Sequence, residues 1–426
     1  MSLIVVITFL VLAFLGMPLA FALGVSALGG LWLSGFDLMV LPPRIMNAVN
    51  SFPLMSIPLF MVAGELMLKG GIMERLVDLA NAFIGRVRGG LAQVAIISGA
   101  GLASVSGAAV ADASALSSTL VPSLRKQYGL GFSTGIVAAA ANLGPIIPPS
   151  GAMIVYAFMA GSSVSVGGMF MSGVVPGVIL FLSFMFLCWF ISWKRDYPLA
   201  GDPISLSAIL RELRRSFLVF LMPVVVIGGI VAGAFTPTEG AAIGVCYALL
   251  LGFFVTRKLR LADLPEVLLT AAKTSALVGA MIAFASTVTF LFTIDLLPMH
   301  LAGMMEGITE SPFLFLCLIA LMLLVVGMFL ESNAAYIMLV PLFHPIALNY
   351  GIDPLHFGFL FVLNLVIGML TPPVGVVLFV VCGITGVKMG ELVRESWPFI
   401  AAMYGVLLLC MLFPSVVTWL PERLGY

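Results

Sequence analysis

Two stretches of the sequence carry the residue types needed to hold a small cation and a small anion inside an apolar protein. They are Asn142-Leu143-Gly144-Pro145-Ile146-Ile147-Pro148-Pro149-Ser150-Gly151 and Asn364-Leu365-Val366-Ile367-Gly368-Met369-Leu370-Thr371-Pro372-Pro373-Val374-Gly375. Each sets a Pro-Pro pair in an otherwise apolar run of about 30 residues, where proline removes a backbone donor and interrupts the helix. Freed carbonyls near Gly144 and Ile147, and near Gly368 and Thr371, are hard oxygen donors suited to Na⁺. Helix N-termini after the breaks present amides and a positive dipole end, which can hold an anion without a dedicated arginine. That matters here, because no Lys or Arg lies deep in either run.

The stretches belong to a repeat. Val121-Pro122, Tyr128-Gly129 and Asn142-Leu143 precede Pro148-Pro149-Ser150-Gly151, and Val340-Pro341, Tyr350-Gly351 and Asn364-Leu365 precede Pro372-Pro373-Val374-Gly375. Upstream of each copy lies an apolar segment, Gly90 to Leu124 and Pro312 to Leu348, with small or polar residues at its middle: Ser104 through Ala109, and Gly327 through Asn333. Each is about 35 residues, short of two full spans plus a turn, so each is expected to form a re-entrant helical hairpin.

Composition sets the frame for these elements. The chain has 426 residues, 62% hydrophobic and 9% charged, whereas a soluble protein is about one quarter charged. The whole chain reads as membrane domain, with no soluble part left to bind or hydrolyse a nucleotide. Nineteen basic and nineteen acidic residues cancel, without a basic patch for a nucleic acid. The five cysteines are far apart and read as small core residues.

Charge distribution assigns sides, because Lys and Arg gather on cytoplasmic loops. The basic clusters are Lys69 to Arg88, Arg125/Lys126, Lys194 to Arg215, Arg257 to Lys273 and Lys388 to Arg394, while Asp295 to Glu310 has acids only and is expected in the periplasm. Residues 3–33 then form a single outward span from a cytoplasmic N-terminus, and the C-terminus is periplasmic. The first hairpin enters from the cytoplasm and the second from the periplasm. Such an inverted-topology repeat places a binding site at the midplane. The expected fold is an all-α polytopic membrane protein with two re-entrant hairpins and two broken helices. Its divisions are 1–88 (scaffold spans and interfacial helix), 89–168 (first transport repeat), 169–311 (central scaffold), 312–387 (second transport repeat) and 388–426 (C-terminal span).

At these residues the chain resembles the large permease family of tripartite ATP-independent periplasmic (TRAP) transporters, of the DctM/SiaM-like kind. The ordered features are Pro53 through Phe60 with Gly64, Gly89-Gly90-Leu91-Ala92, Ser106-Gly107 with Val110-Ala111-Asp112, Pro148-Pro149-Ser150, Pro176-Gly177, Phe235 through Glu239, and Gly368 through Gly375. The resemblance covers essentially the full length. It implies a multi-pass protein of the bacterial inner membrane that takes up a small carboxylate, such as a C4-dicarboxylate or sialic acid, with Na⁺ as coupling ion. Its partners would be a periplasmic substrate-binding protein and a small four-helix membrane subunit, and the resemblance implies an elevator-type secondary transporter in which the hairpin domain moves against a scaffold. It also implies substrate contacts at Ser106, Gly107, Pro149, Ser150, Ser332, Asn333 and Pro373. One sodium site would use Ser106, Asn142, Gly144, Ile147 and Pro148, and a second Gly327, Glu331, Asn364, Gly368 and Thr371. Ala108 stands where the family commonly has a serine, which weakens a side-chain ligand there.

Each candidate has a plainer reading. Ser106 and Gly107 could simply permit close helix packing. Asn142 and Asn364 could bond the hairpin-tip backbone instead of an ion, and Thr371 could be a helix cap. Asp112 and Glu331 are ionisable groups in membrane segments, hence functional candidates, yet either could be paired in place. Glu239, after Thr236-Pro237-Thr238, reads as a helix cap. His300, His344 and His356 lack metal-ligand spacing. Two other functions compete: a stand-alone sodium/carboxylate symporter of the divalent-anion type, and an intramembrane enzyme, for which no HExxH motif and no Ser/His pair at membrane depth is visible.

Overall fold

The computed structural model describes residues 2–84, 87–197, 199–200 and 205–426. The chain begins with α1 (Ser2–Phe14) and α2 (Leu19–Leu33). These are not the single span expected over 3–33. Gly16 takes φ +85° ahead of Pro18, and a Cβ on Gly30 of α2 would meet Val5 of α1, so the two helices fold back on each other. A Gly-x-Pro sequence supplies the left-handed residue and the missing donor that end one helix and turn the chain.

After α3 (Leu41–Val49), α4 (Ser56–Lys69) meets α5 (Ile72–Ile84) at a 65° bend. The amphipathic α5 lies across the helix ends: Arg75 donates to the Arg215 and Val255 carbonyls, and Glu74 pairs with Lys258 at 2.8 Å. An amphipathic helix thus stands after Lys69, where the sequence places one.

The first hairpin is α6 (Gly90–Ser106) and α7 (Ala109–Tyr128), followed by α8 (Leu130–Ala141), a break, and α9 (Gly151–Ala160). Then come α10 (Val166–Lys194), α11 (Leu206–Val231), α12 (Pro237–Leu250), α13 (Leu264–Ile294) and α14 (Leu297–Ile308). The second hairpin is α15 (Pro312–Phe329) and α16 (Ser332–Asn349), followed by α17 (Pro354–Gly368), a break, α18 (Val376–Thr385), α19 (Met389–Leu412) and α20 (Ser415–Arg423). A two-residue antiparallel bridge joins Val87–Arg88 to Leu199–Ala200. Among the described residues, α10, α11, α13, α15, α19 and the segment Pro237–Val255 are long and apolar enough to cross a membrane, and the bent α4–α5 pair would make a seventh.

Helix packing divides into two groups. The second arm of each hairpin lies along the post-break helix of the other repeat, α7 on α18 and α16 on α9, and α10 and α19 close the same body. In the other group α4 packs on α12 and α13, while α13 also holds α2 and α3. Hairpin bases open on opposite faces: Tyr128 sits beside Tyr197 next to the bridge, whereas Tyr350 at the second base donates to the Thr309 carbonyl beyond Asp295.

The face bearing Asp295 also receives Ser2, whose amide donates to the Asp295 carboxylate at 2.8 Å, and Tyr426, whose hydroxyl reaches the Ile230 carbonyl at 3.4 Å. Ser2 and Asp295 therefore share a side, against the expectation that placed the N-terminus opposite the acidic loop. The extra reversal at Gly16 is the cause. On that face the described basic residues are Arg44 and Arg423; the remaining described Lys and Arg lie toward the other.

Candidate functional site

The two tips meet the two breaks through glycine. At the first tip Gly107 (φ +62°) ends α6, and a Cβ there would lie 2.5 Å from the Pro149 carbonyl oxygen and 3.1 Å from the Gly151 nitrogen. At the second, a Cβ on Gly368 would lie 2.6 Å from both the Cα and the carbonyl carbon of Gly327, and the Gly375 amide donates to the Met328 carbonyl at 3.3 Å. Backbone thus touches backbone at both places, which only glycine permits. Pro148-Pro149 and Pro372-Pro373 are cis.

Around the first tip, Ser106 Oγ donates to one carboxylate oxygen of Asp112 and accepts the Ala108 amide at 3.4 Å. Asp112 is fully buried, and its other oxygen has no hydrogen-bond partner. That oxygen lies over Gly144, where a Cβ would approach it to 2.6 Å. Asp112 is therefore part of the first tip rather than a distant arm residue. A serine and an aspartate six residues apart, straddling the glycine turn, were the signal for this pairing.

Asn142 and Asn364 do not bond the tips. Asn142 Nδ2 donates 2.8 Å to the Val366 carbonyl in α17, tying the two broken spans together, and Asn364 Nδ2 donates 2.8 Å to Ala320 in α15. Their Oδ1 atoms are buried without partners, as is Ser332 Oγ. Ser150 closes the first break: its hydroxyl donates to the Pro145 carbonyl at 2.6 Å and accepts the Met153 amide, capping α9. Thr371 donates to the Ile367 carbonyl at 2.8 Å. Glu331 accepts from Asn333 at 2.7 Å at the start of α16.

The sequence candidates therefore gather in two places. Ser106, Gly107, Asn142, Gly144, Ile147, Pro148, Pro149 and Ser150 surround the first tip and break, and Gly327, Glu331, Ser332, Asn333, Asn364, Gly368, Thr371 and Pro373 the second. The copies differ in exposure, with Pro149 buried and Pro373 exposed. The N-termini of α7, α9, α16 and α18 all start at these tips and breaks. Gly64 of α4 abuts the first tip, since a Cβ there would meet Ser106 Cα at 3.3 Å.

Elsewhere, Thr236 and Glu239 form a reciprocal capping box at the start of α12, as expected. A Ser/His pair, not visible in the sequence, does occur. His344 is buried with Nδ1 2.8 Å from Tyr156 Oη and Nε2 2.8 Å from Ser163 Oγ, pinning α16 to α9. Both ring nitrogens are engaged. Cys246 departs from the core reading and is exposed on α12. Among the described residues no three His, Cys, Asp or Glu side chains cluster to hold a metal.

The family model of the "Tripartite ATP-independent periplasmic transporter, DctM component" matches residues 6–416. The chain belongs to the DctM family. It is 37% identical over 383 residues to the C4-dicarboxylate TRAP transporter large permease protein DctM of Pseudomonas aeruginosa, covering 90% of this chain and 89% of that one. It is 36% identical over 418 residues to the sialic acid TRAP transporter large permease protein SiaM of Vibrio cholerae, covering 97% of each. In fold it is similar to the crystal structure of the YdaH transporter of Alcanivorax borkumensis, with TM-score 0.63 at 15% identity over 90% of each chain. As a DctM-family chain it is a large permease subunit and a multi-pass membrane protein, not an enzyme. The two tip-and-break pairs are thus the polar features at the heart of a transporter subunit.

Proposed function

We propose that this DctM-family permease takes up a small carboxylate with Na⁺, by an elevator movement of the body formed by α6–α10 and α15–α20 against the remaining helices. The observation that carries the reading is the set of buried oxygens without partners beside the two breaks: Asp112 Oδ2, Asn142 Oδ1, Ser332 Oγ and Asn364 Oδ1. Buried polar atoms are normally satisfied, so acceptors without protein partners beside broken helices suit a bound cation. One sodium site draws on Ser106, Asn142, Gly144, Ile147 and Pro148, and the other on Gly327, Glu331, Asn364, Gly368 and Thr371.

The carboxylate is held by the N-termini of α7, α9, α16 and α18, with contacts at Ser106, Gly107, Pro149, Ser150, Ser332, Asn333 and Pro373. Names of the relatives favour this class, since C4-dicarboxylate and sialic acid are both carboxylates. The proposed moving body is wider than the sequence divisions and takes in α10 and α19, which pack against both repeats. Residues with small side chains on α4, such as Gly64, provide the sliding surface for the first tip.

The poverty in Lys and Arg of the face holding Asp295 makes it the periplasmic side of the inner membrane. On that orientation Ser2 and Tyr426 are both periplasmic. A periplasmic binding protein delivers the solute there, and a small four-helix subunit completes the membrane assembly. The test is uptake in proteoliposomes holding this chain and its small partner. Uptake should require both an inward Na⁺ gradient and the added binding protein. Uptake by the chain alone would identify a stand-alone symporter instead.

A further inference from the structure

Arg44 stands apart from every other basic residue on a spanning helix or its flank. It lies on α3, and its guanidinium stacks on Phe290 of α13 at 3.5 Å. Its Nε is buried with no hydrogen-bond partner, and among the described residues it has no ion-pair partner. A snorkelling arginine would carry its head out to water; here the head is held against a ring in the wall of an open cavity of about 760 Å³, lined also by Asp37, Met39, Asn47 and Ser286.

A second cavity of about 200 Å³ lies next to it along the same helix, with Ile282 one turn from Ser286, and is lined by Val49, Met55, Pro58, Val278 and Gly279. Apart from Ser275 its lining is apolar, and it lies about one to two turns further from the Asp295 face than Ser286. A Cβ on Gly279 would meet nothing within 4 Å, so space is open there. The depth agrees with a lipid boundary. At 1.5 Å per residue the 31 residues of α13 span about 46 Å, close to a bilayer with its headgroups, and Phe290 and Ser286 fall roughly 6–12 Å below the end of the helix. That is where the headgroup layer meets hydrocarbon.

We propose that these two cavities form one phospholipid site, with the lipid phosphate on Arg44 and an acyl chain in the apolar cavity beside Gly279. An unpaired guanidinium fixed by a ring is a phosphate or carboxylate receptor, and the apolar continuation selects an anion that carries a chain. Asp37, whose Oδ1 accepts the Met39 amide, lines the same polar cavity as Arg44, which favours a headgroup bearing an ammonium group. The site lies on α3 and α13, outside the tips and breaks, so it stands independently of the sodium reading.

Native mass spectrometry of the purified full chain, delipidated and then offered defined lipids, tests this. The wild type should retain one phosphatidylethanolamine in preference to phosphatidylglycerol, and inorganic phosphate should not compete. Arg44→Gln should lower retention at least tenfold, and Gly279→Leu, which fills the chain cavity but keeps the charge, should do the same. Asp37→Asn should abolish the preference between the two lipids while keeping binding. Unchanged retention in Gly279→Leu would overturn the proposal, and that variant decides alone if Arg44→Gln fails to fold. Competition by inorganic phosphate would also overturn it, leaving a free-anion site.

Discussion

Replacing Gly368 by alanine puts one methyl group into the tightest backbone contact of the second tip. The new Cβ would lie 2.6 Å from the Cα and carbonyl carbon of Gly327 and 2.9 Å from its oxygen. These distances are roughly 0.8 Å short of ordinary contact, and the opposing atoms are backbone, which no rotamer change can clear. Overpacking of this kind costs about 1–3 kcal/mol. If the strain is relieved by lifting the tip off the break, the carbonyls and Thr371 of the proposed second sodium site move apart. At about 1.4 kcal/mol per factor of ten, sodium affinity should fall roughly five- to hundredfold. The assay is the sodium half-saturation of uptake in proteoliposomes with the binding protein present. Gly327→Ala should be milder, since its Cβ meets Gly368 Cα at 3.2 Å, and Gly383→Ala on α18 should be silent, since nothing lies within 4 Å. A folded Gly368→Ala protein with wild-type sodium half-saturation would refute the reasoning.

Asn142→Leu removes the bond to Val366 that ties the broken spans, and thermal unfolding should show a loss of about 1–3 kcal/mol together with weaker sodium dependence. Loss of stability without change in sodium dependence would make Asn142 structural only. Glu239→Ala removes the acceptor of the Thr236 amide and hydroxyl, so hydrogen exchange at the Thr236 amide should accelerate; an unchanged rate would show that the capping box does not protect it.

Much of the architecture was readable because membrane burial makes local chemistry decisive. The Pro-Pro pairs announced the breaks, the central small residues announced the tips, and the capping box at Thr236 was written as Thr-Pro-Thr-Glu. Charge clusters placed the hairpin bases on opposite faces. The turn at Gly16 was overlooked because residues 3–33 are apolar throughout, and hydropathy alone does not register a reversal inside such a run. Contacts between the repeats were out of reach for a different reason. Asn142 meets Val366 and His344 meets Tyr156 across more than 180 residues of chain, and periodicity within one segment says nothing about its neighbour. Asp112 shows the intermediate case, where local spacing across the tip contained the pairing but the choice between arm and tip needed the packed structure.

The proposed elevator movement carries the hairpin body against the helices around α4 and α11. Ser104 on α6 and Ile227 on α11 both line the apolar cavity of about 340 Å³ at this seam, as does Pro148. Cysteines at both positions, bridged by a short crosslinker in an otherwise cysteine-free protein, should abolish sodium-driven uptake, and cleavage of the crosslink should restore it. Full uptake with the crosslink intact would contradict the elevator account.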